Sequence, residues 1–467
     1  MIRWGISAYN HDASIAVVED NEILFAAHAE RYSGIKNDPN LNQEIISDAL
    51  QYGEPDQVHW YESHWRKNIR RWMAGQEWKT NDFRDRLRAF GIDKRIRYHM
   101  HHDTHAAAGL FTSPFDPWTA MILVIDAIGE FDTTSIYKGM WNAPGLSGGC
   151  MWSQSYPKSL GLFYSAMTHR IGLKPNEDEY ILMGMSAYGD PDRFYKDIKP
   201  LLNENVHRGV RGLLPAYDSE QDYYDMAAAT QKIYEEEFRK LLIKSKKWDK
   251  SNDLVIMGGC ALNCVANTIA LEYYDNVWIM PNPGDAGSSL GAVLDYTFKH
   301  VEFSPYLGHN IPGPYPAQGL LRELLDTGIV GVANGRAEFG PRALGNRSLL
   351  ADPRGPDIKD RVNEIKRRQK FRPFAPVIIE EEAHKYFDMP CKESPFMQFT
   401  ARCKEPGMFP AIVHIDGKSR VQTVTRKQHP GLYQLLVAWR DQTGCPMLLN
   451  TSLNIKGKPI VNNTADA

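Results

Sequence analysis

Fourteen residues, Gly335-Arg336-Ala337-Glu338-Phe339-Gly340-Pro341-Arg342-Ala343-Leu344-Gly345-Asn346-Arg347-Ser348, hold three arginines, three glycines and one proline. Guanidinium groups are planar, permanently charged forks that match the oxygens of phosphates and carboxylates. Glycine and proline let a backbone come close to a ligand and hold a fixed turn. A second basic run follows in Lys366-Arg367-Arg368-Gln369-Lys370-Phe371-Arg372-Pro373-Phe374-Ala375-Pro376, so that eleven basic and five acidic residues lie between Arg336 and Arg372. A charge run is commonly a solvated face. Here the charges alternate with Gly, Pro and Phe, which points to an anion site, with Arg342 and Arg347 as phosphate ligands in the glycine-rich turn. A different chemistry is offered by His99-Met100-His101-His102-Asp103-Thr104-His105, followed by Ala106-Ala107-Ala108. The alanines favour a helix, on which His101 and His105 share one face and can grip a metal. The alternative is an exposed polar helix start. Asp126 and Asp285 each follow a predicted strand, and two imidazoles with two carboxylates suit a divalent first-row ion, with Fe, Mn and Zn all open. Asp126 could instead cap a turn. His11 and His169 read as polar residues, although His11 sits in a loop, Tyr9–Ser14, suited to catalysis.

These residues need elements to hold them. Strands are expected at Trp4–Ala8, Ser14–Glu19 and Ile23–Ala27, then at Ala120–Ile125 with a return over Thr133–Met140. Two more, Asp253–Met257 and Asn276–Met280, run into Gly258-Gly259 and Pro281-Asn282-Pro283-Gly284-Asp285. The first of these leads into a helix over Cys260–Leu271. Strands that end in Gly or Asp loops opening helices are how α/β folds build phosphate and nucleotide sites. Hairpins mixed with helices argue against steady βαβ alternation. Cys260 and Cys264 read as small core residues. Trp60, Trp65, Trp72, Trp78 and Phe83 read as packing or as part of a pocket.

A chain of 467 residues exceeds the usual single domain. The stretch Phe303–Pro316 is rich in proline and glycine and reads as a linker, giving domains 1–305 and 313–467. Residues 311–467 carry 23 Lys+Arg against 16 Asp+Glu, whereas the whole chain has a net charge of −3, so the basic C-terminal part suits phosphates and the remainder is acidic. That overall balance does not call for a long nucleic-acid polymer. Six scattered cysteines without a CxxC pair exclude a disulfide framework or zinc-thiolate site and favour a reducing cytoplasm. No apolar run reaches the roughly 20 residues needed to cross a membrane.

In their order along the chain, these motifs resemble the ATP-dependent O-carbamoyltransferases of nodulation-factor, cephalosporin and aminoglycoside carbamoylation. The resemblance runs from Asn10–Ser14 through His101–Ala106, Glu179–Gly189, Gly258–Asn263 and Gly284–Gly287. It continues through the Glu338–Ser348 and Phe371–Pro376 segments to His414–Gln422 and Asn450–Asn454. It implies an α/β protein with a duplicated actin/sugar-kinase-like ATPase fold in the N-terminal domain and a YrdC-like α/β domain after it. It further implies that carbamoyl phosphate is cleaved and the carbamate adenylated by Mg-bound ATP in the C-terminal domain. The carbamoyl group would then pass to an acceptor hydroxyl, on a small molecule or a nucleotide, in the N-terminal domain.

By the same resemblance, Lys366, Arg372, Arg420 and Ser452 would contact carbamoyl phosphate and nucleotide. Gly258, Gly259 and Asn263 would contact nucleotide in the first domain. His101, His105, Asp126 and Asp285 would hold the metal, with iron preferred, and His11 would accept the hydroxyl proton. Arg372 and Arg420 read equally as structural ion-pair partners, and Asn263 as a helix cap. Departures are Ile128, Gln369, Lys418 and Leu453, and relatives usually continue past Ala467. Carbamoylation of a hydroxymethylated nucleotide or nucleic-acid base, and an actin-like ATPase binding module with a degenerate second domain, are the alternatives. The acceptor pocket is expected within residues 57–95 and 200–230. A homodimer is left open.

Overall fold

A computed structural model describes residues 1–80, 82–139, 149–210, 212, 214, 219–369 and 371–467. Met140, at the end of one expected strand, and residues 81, 211, 213 and 215–218 of the expected acceptor segments lie outside these. The chain divides into two compact units, one of Met1–Ala29 with Asp38–Phe303 and one of Glu30–Asn37 with Ser304–Ala467.

The first unit contains one strand layout twice. Strands β1 (Ile2–Ser7), β2 (Ser14–Glu19), β3 (Glu22–His28), β4 (Gln57–Trp60) and β5 (Ile96–Tyr98) form a sheet in the order β3-β2-β1-β4-β5. Its first three strands are antiparallel neighbours, and β1, β4 and β5 run parallel. Strands β6 (Met121–Ile125), β7 (Asp132–Lys138), β8 (Cys150–Ser155), β9 (Asp253–Met257) and β10 (Asn276–Trp278) repeat the pattern as β10-β9-β6-β7-β8. Again there is a three-strand antiparallel meander on one side and a parallel pair on the other. This is the duplicated layout of the actin-like ATPase fold. Strand β6 is apolar and buried throughout, and β1 is buried from Trp4 onward, as strands covered on both faces must be.

Two helices cross between the repeats. His101–Thr112 follows β5 yet packs on the second sheet, where a Cβ on Gly109 would lie 2.5 Å from Val255 Cγ1 and from Met257 Cγ. Ser288–Thr297 follows β10 yet packs on the first sheet, where a Cβ on Gly5 would lie 1.7 Å from the Ser289 carbonyl oxygen. The helices meet where a Cβ on Gly291 would lie 1.9 Å from the Thr104 carbonyl oxygen. Glycine is required at such crossings because no side chain fits. The helix expected over Cys260–Leu271 is broken: a 3₁₀ turn at Gly259–Leu262 gives way at Asn263 to an α-helix over Cys264–Ala270.

In the second unit, strands Ile329–Ala333, Arg347–Ala351, Met447–Ser452, Ala375–Ile379 and Gln422–Val424 form a mixed sheet in that order. Helices Ala317–Thr327 and Pro430–Thr443 contribute Leu320, Leu324, Leu432, Leu436 and Trp439 to its core. The stretch read as a linker holds a strand, Tyr306–Ile311, antiparallel to Gly335–Glu338. Its prolines lie outside the paired residues, where the missing N–H is tolerated. Among the described residues no helix is long and apolar enough to cross a membrane.

Candidate functional site

All twelve residues of helix His101–Thr112 are buried, including His101, His102, Asp103 and His105, so the reading of an exposed polar helix start does not hold. Burying so many polar groups is costly unless they are paired, and the pairing defines the site. His101 and His105 lie one turn apart on the same face, with their Nε2 atoms 3.1 Å apart. Asp126, at the end of β6, places Oδ2 3.0 Å from His101 Nε2 and 3.9 Å from His105 Nε2. Asp285, in the turn that opens helix Ser288–Thr297, places Oδ1 3.4 Å from each imidazole. One ligand atom from each residue lies within 4.8 Å of the others.

The electrostatics follow from these contacts. Burial lowers the His101 imidazole, but Asp285 and Asp126 outweigh it and hold the group well above its ordinary value. Burial and the mutual repulsion of the two carboxylates would raise Asp126, yet His101 and His105 bring it down. Asp285 is likewise held well below the carboxylate range by His101 and His11 against the effect of burial. His102, whose Nδ1 bonds Ser135 Oγ at 2.7 Å, is pushed down to about 3 by burial and by His101. Two imidazole nitrogens facing each other, with a carboxylate on either side, form a donor set that suits a divalent cation better than protons alone.

The residues around the cluster fix its geometry. Asp126 Oδ1 accepts from the Gly259 N–H at 3.2 Å, and His105 Nδ1 lies 3.3 Å from Ser288 Oγ. Gly258 has φ +90, and a Cβ there would meet the Ile125 carbonyl oxygen at 2.2 Å. Glu130 holds the start of the helix: its two carboxylate oxygens each accept from the His101 N–H at 3.1 Å, and one also accepts from the Ser63 N–H. His11 sits at the edge, with Nε2 3.4 Å from Asp285 Oδ2 and Nδ1 3.1 Å from Asp12 Oδ2. Burial lowers it, but Asp285 and Asp12 raise it to about 9. Asn263 caps the Cys264–Ala270 helix through Oδ1 to the Ala266 N–H at 3.1 Å and pairs its amide with Gln231. Both readings of Asn263 meet here, and its amide is already engaged. Trp60 and Phe83 are core residues stacked 4.0 Å apart, while Trp65, Trp72 and Trp78 are exposed.

In the second unit the structure gathers Lys366, Ser452 and Asn454, with Arg372 close enough to act on Lys366. The Lys366 ammonium donates to the Ser452 carbonyl, to Ser452 Oγ at 3.2 Å, to the Asn454 carbonyl at 3.1 Å and to Asn454 Oδ1 at 2.9 Å. Burial, with Arg368 and Arg372 adding to it, lowers Lys366 to about 7. The buried Nε of Arg420 has no hydrogen-bond partner among the described residues.

The glycine-rich turn is built differently from the expectation. Arg347 is 0% exposed, and its guanidinium donates to the carbonyls of Asn334, Gly335, Asn346, His309 and Asn462. Every nitrogen of its fork is used, so Arg347 clamps backbone and offers no donor to a phosphate. Arg342, two residues beyond Gly340, is half-buried and remains at the surface of the turn. Glu338 Oε1 accepts from the N–H groups of Leu344, Asn346 and Arg347 at 2.8, 2.9 and 3.2 Å and shapes the turn from inside. Sequence reasoning passed over Glu130, Glu338 and Asn454. Glu338 and Asn454 lie within motifs quoted above and Glu130 outside them, but a carboxylate or amide that grips backbone carries no spacing signal.

The two halves of the chain match two family models, residues 61–294 the carbamoyltransferase N-terminus and residues 321–467 the carbamoyltransferase C-terminus. The nodulation protein NolNO of Sinorhizobium fredii is 30% identical over 99% of this chain and 76% of its own length. The 3'-hydroxymethylcephem-O-carbamoyltransferase of Amycolatopsis lactamdurans is 30% identical over 98% of this chain and 94% of its own. Among solved structures, component A of the (R)-2-hydroxyglutaryl-CoA dehydratase of Acidaminococcus fermentans aligns over 64% of this chain and 98% of its own at 14% identity and a TM-score of 0.38. With both halves matched and relatives similar along nearly the whole chain, this protein belongs to the carbamoyltransferase family and is a transferase enzyme.

Proposed function

We propose that the protein is an O-carbamoyltransferase that makes carbamoyl-adenylate from carbamoyl phosphate and ATP and passes the carbamoyl group to an acceptor hydroxyl. The observation that carries this reading is the convergence of His101, His105, Asp126 and Asp285 on one point, with His11 beside it. In the first step water cleaves carbamoyl phosphate to carbamate and inorganic phosphate. A carbamate oxygen then attacks the α-phosphorus of ATP, forming the O–P bond as pyrophosphate leaves with its Mg²⁺. Both reactants are anions, so the step needs fixed cations and exclusion of water. Lys366 and Arg372 supply the cations beside Ser452, with Arg420 and Arg342 of the same unit as further cations. Lys366, held by neutral oxygens alone, has full use for an anionic partner.

In the second step the acceptor oxygen attacks the carbamoyl carbon, the bond to AMP breaks, and the acceptor leaves as its carbamate ester. His101, His105, Asp126 and Asp285 would hold the divalent ion, iron being the first candidate, and that ion supplies Lewis-acid stabilisation of developing charge when bound. Asp285 and Asp12 hold a proton on His11. With the charge of Asp285 offset by a bound cation, Nε2 is freed to accept the hydroxyl proton, and Asp12 orients the ring through Nδ1. Gly258 and Gly259 let the backbone approach the nucleotide. The acceptor is a hydroxyl-bearing small molecule or nucleotide.

The test is mass spectrometry of protein, ATP, Mg²⁺ and carbamoyl phosphate without acceptor. A carbamoyl-adenylate peak with pyrophosphate, lost in Arg420→Ala, supports the reading. Only ADP and phosphate, formed without need of carbamoyl phosphate, would replace it with an ATPase binding module.

A further inference from the structure

A second cluster of polar groups lies at the other end of the first sheet, away from the loop that carries His11. Parallel pairing sets Arg3 beside Gln57, Gly5 beside His59 and His59 beside Arg97. Residues paired across neighbouring strands, and residues two apart on one strand, share a face. Arg3, Gln57, His59 and Arg97 therefore lie on the face covered by helix Ser288–Thr297. The helix ends there in Tyr296 and Thr297. The Tyr296 ring centre lies 4.6 Å from Arg97 Cζ, 5.6 Å from Arg3 Cζ and 4.9 Å from the centre of the His59 ring.

Arg3 Nε, Arg97 Nε and His59 Nε2, on the side chains that meet this ring, and Gln57 Oε1 on the same sheet face are buried and have no hydrogen-bond partner among the described residues. His59 is 0% exposed. Neither arginine has a carboxylate ion-pair partner among the described residues. Folded proteins leave few buried polar atoms unpaired, because each forfeits the hydrogen bonds it makes in water. Four on one sheet face, two of them on guanidinium forks, describe a binding site rather than scattered defects.

The donor pattern specifies the ligand. His99 Nδ1 lies 2.7 Å from Asp295 Oδ2, and His99 Nε2 lies 3.0 Å from His59 Nδ1. His59 Nδ1 is engaged in this chain, which leaves Nε2 as the unpartnered polar atom of its ring. Burial and the nearby His99, Arg3 and Arg97 push His59 down to about 2, consistent with a neutral ring. Two guanidinium forks beside an unpartnered imidazole nitrogen complement a phosphate-type oxyanion, which accepts from the forks and either accepts from the ring or, when it keeps a proton, donates to it. We propose that Arg3, Arg97, Gln57 and His59 form a site for hydrogen phosphate or a phosphomonoester, separate from the transfer centre. Through His59 and His99 this ligand is joined to both elements of that centre. His99 precedes His101 by two residues, and Asp295 sits on the helix whose Ser288 touches His105.

The test is NMR of the full-length protein with ¹³Cε1-labelled histidine, titrated with inorganic phosphate against a chloride control, with the His59 resonance assigned by His59→Gln. Saturable movement of that resonance is expected. Arg97→Met and Arg3→Met should each weaken it about tenfold or more, and Arg97→Lys, which keeps the charge and loses the fork, should weaken it less. Arg372→Met, in the second unit, should leave it unchanged. Glycerol 3-phosphate distinguishes the two sources: movement with both ligands supports a site open to esters, and movement with inorganic phosphate alone supports one closed around the free ion. No movement with either, or equal movement in Arg97→Met, would overturn the proposal and leave an ordered water as the only occupant.

Discussion

Lys366 shows how much a single side chain can report. Its ammonium is gripped by four neutral oxygens from Ser452 and Asn454, and burial with Arg368 and Arg372 lowers it to about 7. A phosphate dianion beside it would favour the charged form. The folded, ligand-free protein has therefore lost this proton above pH 7, and binding must return it. Calorimetry of carbamoyl phosphate binding at pH 8, in buffers of different ionisation enthalpy, is expected to show uptake of close to one proton, and at pH 5.5 almost none. Lys366→Met should abolish the uptake and weaken binding by about tenfold to a hundredfold. Uptake unchanged in that variant would assign the proton elsewhere. Lys366 and Ser452 lie in dense, ordered motifs, and the structure brings the two side chains together. Arg347 was misread although its motif was equally clear: an arginine in a glycine-rich turn looks the same in sequence whether its fork meets a ligand or five carbonyls.

At the scale of elements, the structure depends on who holds each helix. Glu130 places a carboxylate on the first N–H of the helix that carries His101 and His105, where the helix dipole favours negative charge. Glu130→Ala should lower stability by about 1–3 kcal/mol and reduce the divalent metal retained on dialysis, whereas Glu130→Gln, which still accepts, should lose less of both. Thermal unfolding with elemental analysis separates the two. Equal losses would make the charge, not the hydrogen bond, the cause. The crossing at Gly291 is less tolerant, because a new Cβ would meet backbone at 1.9 Å. Gly291→Ala should cost about 1–3 kcal/mol or more, read as a lower urea midpoint with unchanged slope. Strands such as Asp253–Met257 were legible residue by residue, because apolar runs bounded by Gly and Asp turns have a period of their own. The crossing of the two helices was not, since each packs against the sheet of the other repeat and no local pattern records that. The strand inside Phe303–Pro316 was hidden for a related reason: prolines flank it, and its partner is more than twenty residues further on, while the border between the two units does fall at Phe303.

At the scale of the whole molecule, the two candidate sites lie on two compact units. The metal-type cluster and His11 belong to the first, and Lys366, Arg372, Arg420 and Ser452 to the second. Charge follows the same division, with the basic excess in residues 311–467, where the anionic substrates of the first step would bind. Attraction at a distance is screened by salt within about 10 Å at 0.1 M, so the Michaelis constant for carbamoyl phosphate should rise with ionic strength more than that for an uncharged acceptor. The sharper consequence concerns variants. Asp126→Asn alters the cluster alone, and it should still release pyrophosphate from ATP and carbamoyl phosphate while failing to carbamoylate any acceptor. Lys366→Met alters the other unit, and it should release no pyrophosphate yet transfer the carbamoyl group from carbamoyl-adenylate supplied in solution. Two losses of opposite kind follow only if the steps are carried by separate sets of residues. Should both variants lose pyrophosphate release together, one centre would be serving both steps, and the assignment of Lys366 and Asp126 to different reactions would have to be abandoned.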